Sequence, residues 1–166
     1  MDGGEVERKE ASEATARAIE EASKGLAWDD RRDFEDAERG LIAETPDGPI
    51  QGEGILPVFD PDRLAFARKG EAPATVHPSL WRQAGLIGRG GLFQVTDRLY
   101  QVRNMDLSNM TIVEGETGLI VIDPLISAET ARAALDLYLA HRPGTEVVAV
   151  VYSHSHVDHY GGVRGV

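Results

Sequence analysis

The sequence predicts a mixed α/β fold, and three features support this assignment. Residues 92–102 and 110–122 each contain two short apolar segments separated by turn residues, the pattern of a β-hairpin. An apolar segment at residues 119–122, an amphipathic stretch and a second apolar segment at 147–152 form a βαβ unit. The chain has 166 residues, of which 42% are hydrophobic, and this suffices for the core of one domain.

Two helices are predicted near the start of the chain. Residues 11–23 are rich in Ala and Glu and are followed by Lys24-Gly25, which is typical of a surface helix that ends at a glycine. A second helix is predicted to begin at Asp29 or Asp30. Its apolar face would carry Phe34, Ala37 and Leu41. The charged residues of this helix would form a solvated outer face.

Residues 45–92 are predicted to be irregular, because prolines and glycines interrupt every long hydrophobic period there. Such a segment would cover the rest of the domain. His77 lies within it, and a lone histidine in a loop is most simply a surface or packing residue. His141 lies at a predicted helix end, where it would complement the helix dipole. Neither histidine is therefore assigned to a site.

The βαβ unit has clear sequence signals. Ser127 can cap its helix, and Pro143-Gly144 would end it. The apolar positions of this helix recur at helical spacing: Ala131, Ala134, Leu135, Tyr138 and Leu139. The continuous apolar run at residues 147–152 predicts a strand that is covered on both faces. The crossover rule makes this strand parallel to residues 119–122, so the carboxyl ends of both strands lie at one sheet edge.

Chemistry-bearing residues cluster directly after the second strand, in the sequence SHSHVDHYGG. His154 and His156 are two residues apart, so they project to one side of an extended chain. Asp158 and His159 follow as the chain turns. Imidazole and carboxylate groups are ligands of divalent metals such as zinc. The H-x-H-x-D-H pattern therefore predicts half of a two-metal centre, in preference to a polar turn with chance histidines.

Composition limits the classes of partner. The net charge of −11 disfavours nucleic acid, because phosphate binding depends on Lys and Arg. Cysteine is absent, so the metal must be held by His, Asp and Glu. No apolar stretch is long enough to span a membrane, and no signal peptide is visible. We expect a soluble, cytoplasmic protein, with a periplasmic or secreted location left open.

The motif resembles that of a known family. H-x-H-x-D-H after an aliphatic run is similar to the signature of the metallo-β-lactamase superfamily, and its extended form at residues 152–166 resembles the alkyl sulfatase branch. Residues 33–43 and 104–110 also resemble the N-terminal region of that branch. The resemblance begins at about Ala16 and implies an αββα sandwich, of which this chain is a truncated first part.

The resemblance implies three regions and a function. Residues 1–28 would be an acidic helical segment, 29–91 a helix with a Pro/Gly-rich covering segment, and 92–166 the first part of the metallo-β-lactamase-like domain. The parent protein would be a zinc-dependent sulfuric ester hydrolase. It would convert alkyl sulfates of long-chain alcohols, detergents among them, to alcohol and sulfate.

The resemblance also implies roles for individual residues. His154 and His156 would bind one zinc ion, and Asp158 and His159 the other, with two Zn²⁺ per complete chain and Asp158 as a catalytic residue. Asp123 would support the metal loop, unless it only caps the turn before the helix. Apart from the resemblance, a polar cluster lies between two predicted strands and consists of Asn104, Asp106, Ser108 and Asn109. This cluster, with Asn104 and Asn109 as the residues selected, would line the substrate mouth or else form an ordinary loop.

The family's further ligands, sulfate-holding residues and dimerisation region match nothing before Val166. The resemblance implies a homodimer for the full-length parent. We expect no activity for the 166-residue chain alone, because neither ion has a closed site. Two alternatives remain. One is another hydrolase of the superfamily that acts on thioesters, lactones or lactams, and the other is a catalytically inactive fragment.

Overall fold

A computed structural model describes residues 9–142 and 146–166, and one six-stranded sheet organises them. The strands are β1 (Leu41–Glu44), β2 (Gly91–Thr96), β3 (Leu99–Arg103), β4 (Met110–Glu114), β5 (Leu119–Ile122) and β6 (Val147–Val151). They lie in the sheet in chain order. All neighbouring pairs up to β5 are antiparallel, and β5 and β6 are parallel. The mixed α/β class, both hairpins and the βαβ unit are therefore confirmed.

Four α-helices accompany the sheet in the described residues: α1 (Glu13–Ser23), α2 (Arg32–Glu38), α3 (Pro78–Ile87) and α4 (Ala128–His141). The side chain of Ser12 caps α1, and Gly25 follows the helix with a φ of 75°, as the sequence predicted. No helix in this part of the chain combines the length and the apolar composition that crossing a membrane requires.

The core lies between one face of the sheet and α4. Ser127 caps α4 by accepting a hydrogen bond of 3.2 Å from the Thr130 amide, in a capping box. The sheet contributes alternate residues of β3, β4 and β5, because successive side chains of a strand point to opposite faces. The main buried partners are Tyr100, Val102, Met110, Ile112, Leu119, Val121, Ala131, Ala134, Leu135 and Tyr138.

Two predictions for the first half of the chain were wrong. The helix α2 ends at Glu38, and Leu41 lies in β1, because Gly40 adopts a φ of 76° that turns the chain into the sheet. Residues 45–92 are less irregular than expected, since they include α3 and a 3-10 helix at Pro61–Arg68. Pro78 is the first residue of α3, a position where its missing N–H costs nothing.

The prediction that residues 147–152 form a strand covered on both faces was also wrong. Among the described residues β6 pairs only with β5 and forms the sheet edge, with Val148 53% exposed and Val151 46% exposed. The parallel pairing itself is confirmed. The predicted helix end at residues 143–144 lies outside the described residues, and α4 is described up to His141.

Candidate metal centre

The ends of β5 and β6 meet at one edge of the sheet, as the crossover rule predicted. Ile122 pairs with Val151, and the Asp123 amide donates a hydrogen bond of 2.9 Å to the Val151 carbonyl oxygen. The next residues of each strand therefore emerge side by side. This brings the Asp123 carboxylate to the first residues of the histidine motif.

Ser153 joins the two chain segments. Its amide donates to Asp123 Oδ1 at 2.7 Å, and its hydroxyl donates to Asp123 Oδ2 at 2.6 Å. The same hydroxyl oxygen lies 2.9 Å from His154 Nδ1. Because the single hydroxyl proton is directed to Asp123, His154 must donate from Nδ1. This tautomer leaves the Nε2 lone pair of His154 free for a metal ion.

His159 is oriented by the same carboxylate. Its Nδ1 lies 2.8 Å from Asp123 Oδ2, and its Nε2 lies 3.3 Å from Asp158 Oδ2. Only the shorter contact, from Nδ1 to Asp123, has the geometry of a hydrogen bond, so the proton of a neutral His159 ring belongs on Nδ1. The unprotonated Nε2 of His159 is then available as a metal ligand, and it lies beside a carboxylate oxygen of Asp158. Orientation of a ligating imidazole by an outer carboxylate is a general feature of metal sites.

The imidazole rings of the motif lie close together. The centroid of the His154 ring is 4.8 Å from that of His156 and 4.0 Å from that of His159. His154 and His156 are exposed, and Asp158 and His159 are partly buried. Within residues 9–142 and 146–166, no three His, Asp or Glu side chains converge on one point as a ready metal site. The division of these four side chains between two ions stays a prediction.

The Asp123 carboxylate is favoured in its ionised form. Burial alone would raise its pKa, but hydrogen bonds from the Ser153 hydroxyl, the Ser153 amide and His159 together hold the pKa below its usual value. An ionised carboxylate at this position keeps both oxygens available as hydrogen-bond acceptors for Ser153 and His159. The alternative role of Asp123, a cap of the turn before α4, receives no support from these contacts, because Ser127 caps α4.

Glycines after the motif allow it to lie directly on the β5–α4 loop. A Cβ atom at Gly161 would collide with the carbonyl oxygen of Ile126, and one at Gly162 with that of Pro124. The Gly162 amide donates a hydrogen bond of 2.8 Å to the Leu125 carbonyl oxygen. The close approach of backbone to backbone therefore requires glycine at both positions.

The other candidate residues lie apart from the motif. Asn104 is buried, and its amide is used inside the protein, since it accepts from Arg63 Nη1 at 2.6 Å and donates to the Pro61 carbonyl oxygen at 2.9 Å. These contacts give the Asn104 side chain a structural role, and its predicted place at the substrate mouth stays a prediction. Asn109 is exposed, and its role stays a prediction. Both residues border a cavity of about 310 Å³ that contains no motif residue.

His77 and His141 lie outside the site, as expected. His77 caps α3 by accepting a hydrogen bond of 3.1 Å from the Ser79 amide, and His141 Nδ1 lies 3.0 Å from the Leu137 carbonyl oxygen at the end of α4. Two residues that were not predicted as neighbours of the metal ligands, Ser153 and Ser108, contact the His and Asp side chains or backbone of the motif. The Ser108 hydroxyl donates a short hydrogen bond to the Asp158 carbonyl oxygen.

The residues present fit a divalent metal of the zinc type. The donor set consists of imidazole nitrogen and carboxylate oxygen, which zinc accepts in hydrolytic sites. The hydrogen bonds at Nδ1 of His154 and His159 leave Nε2 as the ligating atom in both rings. Within the described part of the chain Nε2 of neither ring takes part in a hydrogen bond, although that of His159 lies beside the Asp158 carboxylate, and both atoms are available to a metal ion.

Comparison with known proteins points the same way. Residues 103–166 match the family model of the metallo-beta-lactamase superfamily. This segment contains β4, β5, α4, β6 and the whole histidine motif. The match thus covers every residue of the site described above.

Individual relatives are similar over nearly the whole chain. A linear primary-alkylsulfatase from Pseudomonas sp. is 58% identical over 95% of the chain, and an (R)-specific secondary-alkylsulfatase from Pseudomonas sp. is 52% identical over 97%. The solved structure of the stereoselective inverting sec-alkylsulfatase Pisa1 from Pseudomonas sp. covers 95% of the chain with a TM-score of 0.87 and 53% identity. The chain spans 24% of the length of both curated relatives and 25% of the solved structure.

Proposed function

Because residues 103–166 match the model of the metallo-β-lactamase superfamily and the chain is similar to alkylsulfatases, we propose that the whole protein belongs to this superfamily and hydrolyses sulfate esters of long-chain alcohols. Water is consumed, and the products are the alcohol and inorganic sulfate. The observation that carries this proposal is the network of Asp123, Ser153, His154 and His159, which orients two imidazoles for metal binding. The identity to alkylsulfatases supports the choice of substrate class.

We propose Zn²⁺ as the metal, with two ions per complete chain. His154 and His156 would hold one ion, and Asp158 and His159 the other. When bound, such ions activate water at neutral pH and neutralise negative charge on substrate oxygens. Superfamily membership implies metal dependence in general, and the all-nitrogen-and-oxygen donor set favours zinc over metals that prefer thiolate.

The residues of this chain would prepare the site rather than complete it. Asp123 accepts a hydrogen bond from Nδ1 of His159, and the Ser153 hydroxyl links the same carboxylate to Nδ1 of His154. The glycines at 161 and 162 seat the motif on the β5–α4 loop. Each proposed ion receives only two side chains from this chain, so the remaining ligands must come from elsewhere in the whole protein.

The test combines metal content with activity in the whole protein. The purified wild-type protein should contain two zinc ions per chain by elemental analysis and should release sulfate from dodecyl sulfate. The His156→Ala variant should lose metal and activity together. His141→Gln, which changes a histidine at the far end of α4, should alter neither.

The two halves of the proposal can fail separately. A wild-type protein without bound metal after expression in zinc-supplemented medium would refute the metal centre. Loss of activity in His156→Ala with both ions retained would show that His156 acts in another way. A metal-loaded wild-type protein that releases no sulfate would refute the substrate class alone.

A further inference from the structure

We propose that the turn between β3 and β4, residues 104–109, is a positioning element for the metal ligands and acts through Asp106 and Ser108. This inference rests on the metal centre proposed above. Neither residue would touch the substrate or the ions. Each holds one of the two backbone segments that carry the site, namely the histidine motif and the loop between β5 and α4.

Ser108 holds the histidine motif. Its hydroxyl donates to the backbone carbonyl oxygen of Asp158, 50 residues away in the sequence. This carbonyl belongs to the peptide group that joins Asp158 to His159. Fixing the plane of that peptide restricts the directions in which both side chains leave the backbone. The two proposed ligands of the second ion therefore share one anchor outside the motif.

Asp106 holds the other segment. Its side chain is buried, and its Oδ2 accepts a hydrogen bond of 3.0 Å from the Ile126 amide and a short one from the Thr130 hydroxyl. Its Oδ1 accepts from the Leu107 amide at 2.5 Å. A buried carboxylate is costly unless such donors surround it. The donors here lie in the turn itself, in the β5–α4 loop and in the first turn of α4.

The β5–α4 loop needs this restraint. Asp123 and Leu125 have φ angles of 56° and 66°, in the left-handed region that residues other than glycine seldom adopt. Such conformations persist only when surrounding contacts enforce them. The Gly162 amide holds the loop from one side through the Leu125 carbonyl oxygen, and Asp106 holds it from the other through the Ile126 amide. The Asp123 carboxylate thus depends on both anchors for its direction.

The turn is itself fixed to the covering segment. Asn104 adopts a φ of 55° and is bonded to Arg63 and to the Pro61 carbonyl oxygen at the start of the 3-10 helix. Burial lowers the pKa of Arg63, whereas the nearby carboxylates of Asp106 and Asp60 oppose that shift. Because the covering segment fixes the turn, Asp106 and Ser108 have fixed positions from which they restrain the two backbone segments that carry the site.

The first experiment removes one hydroxyl from the turn in the whole protein. Ser108→Ala should weaken zinc binding by about tenfold in a chelator competition assay, the lower end of the effect usual for outer partners of metal ligands. It should also shift the visible absorption spectrum of the Co²⁺-substituted protein. Ser108→Thr keeps the hydroxyl and should restore both properties. The matched control Thr111→Val deletes a hydroxyl that accepts a hydrogen bond from Gln101 on the neighbouring strand, and it should change neither property.

The second experiment tests Asp106 with a variant of equal size. In Asp106→Asn one carboxylate oxygen becomes an amide donor that faces the N–H of Leu107 or of Ile126, so one anchor is lost. The variant should weaken zinc binding by about 10- to 100-fold and lower kcat more than it changes KM.

The outcomes separate this inference from the proposed function. Wild-type zinc affinity and Co²⁺ spectrum in both Ser108→Ala and Asp106→Asn would overturn the inference and leave the metal centre standing. A wild-type protein that binds no metal would overturn both. If Thr111→Val perturbed the spectrum as strongly as Ser108→Ala, the effect would be general to the sheet, and the positioning role would be refuted.

Discussion

Asp123 is the residue that links most of the proposed site. Its two oxygens accept hydrogen bonds from the Ser153 amide, the Ser153 hydroxyl and His159. The first two fix the start of the motif to the neighbouring strand, and the third fixes the tautomer of a proposed ligand. One carboxylate thus positions the backbone at the start of the motif and determines which nitrogen of His159 carries the proton.

Replacement of this carboxylate tests its role at the residue scale. In Asp123→Asn one oxygen becomes an NH₂ group, so a donor must face either the Ser153 amide or Nδ1 of His159. Zinc affinity should fall by about 10- to 100-fold, with a parallel loss of activity. Isothermal titration of the metal-free whole protein would measure the affinity.

The control for this variant is Asp97→Asn, which changes an exposed carboxylate in the β2–β3 turn. Its zinc affinity should equal that of the wild type. An Asp123→Asn protein that binds zinc as tightly as Asp97→Asn would show that the carboxylate does not orient the ligands.

Sequence reasoning found some of these residues and missed others for a physical reason. His154, His156 and Asp123 were placed at one sheet edge because strand periodicity and the crossover rule depend on local patterns. The contact of Ser108 with the motif spans 50 residues, and that of Arg63 with Asn104 spans 41. Local patterns carry no signal for such pairs. Ser153 had a weaker signal, a hydroxyl at the point where the second strand ends.

At the scale of elements, the contact between α4 and the sheet stabilises the layer that carries the site. Tyr138 is buried against Tyr100, with ring centroids 5.5 Å apart in an edge-to-face arrangement. Its hydroxyl donates to Glu114 Oε1 at 2.8 Å, and Arg142 Nε donates to the same oxygen at 2.9 Å. The end of β4 is thereby bound to the last turn of α4.

The variant Tyr138→Phe should lower the free energy of unfolding at pH 8 by about 1–2 kcal/mol, because it keeps the ring but removes a hydrogen bond to a charged acceptor. Burial and the hydrogen bond to Glu114 raise the pKa of Tyr138 above its usual value. The contribution of the phenol is therefore complete below the unfolded pKa of about 10 and is lost as pH rises further. Urea unfolding of the whole protein at pH 8 and at higher pH would measure both effects.

The difference between wild type and Tyr138→Phe should thus shrink at alkaline pH. Tyr152→Phe serves as the control, since the Tyr152 side chain is 48% exposed. A difference that is constant from pH 8 to the alkaline limit would contradict the assignment of the raised pKa to the folded state.

Elements were predicted well where the hydrophobic period was long and poorly where single residues decided the outcome. The buried face of α4 contains Ala131, Ala134, Leu135 and Tyr138, as its helical spacing indicated. The sequence does not predict the start of α3, because the prolines of residues 45–92 indicate interruptions, whereas Pro78 begins the helix behind the His77 cap. Proline at a first helical position and proline in a loop have the same local sequence appearance.

At the scale of the whole molecule, the net charge of −11 on these 166 residues opposes binding of an anionic substrate only if that charge is averaged over the chain. Two bound dications are the largest local charges in a site and set its field there. A sulfate ester would therefore be attracted at short range by the bound ions, whatever the net charge of these 166 residues. Removal of the metal with a chelator should abolish activity for this reason, besides the loss of the nucleophile.

The last prediction concerns the substrate class. If the relationship to alkylsulfatases extends to specificity, the whole protein should release sulfate from long-chain alkyl esters and leave lactams and thioesters nearly untouched. Each buried CH₂ group contributes about 0.8 kcal/mol, or roughly fourfold in kcat/KM, so activity should rise from hexyl through octyl and decyl to dodecyl sulfate until the pocket is filled. Measured kcat/KM values for this series, beside one lactam and one thioester, test the prediction. Equal values across the series would argue against an alkyl pocket, and a preference for the lactam or the thioester would refute the sulfatase assignment while leaving the metal centre intact.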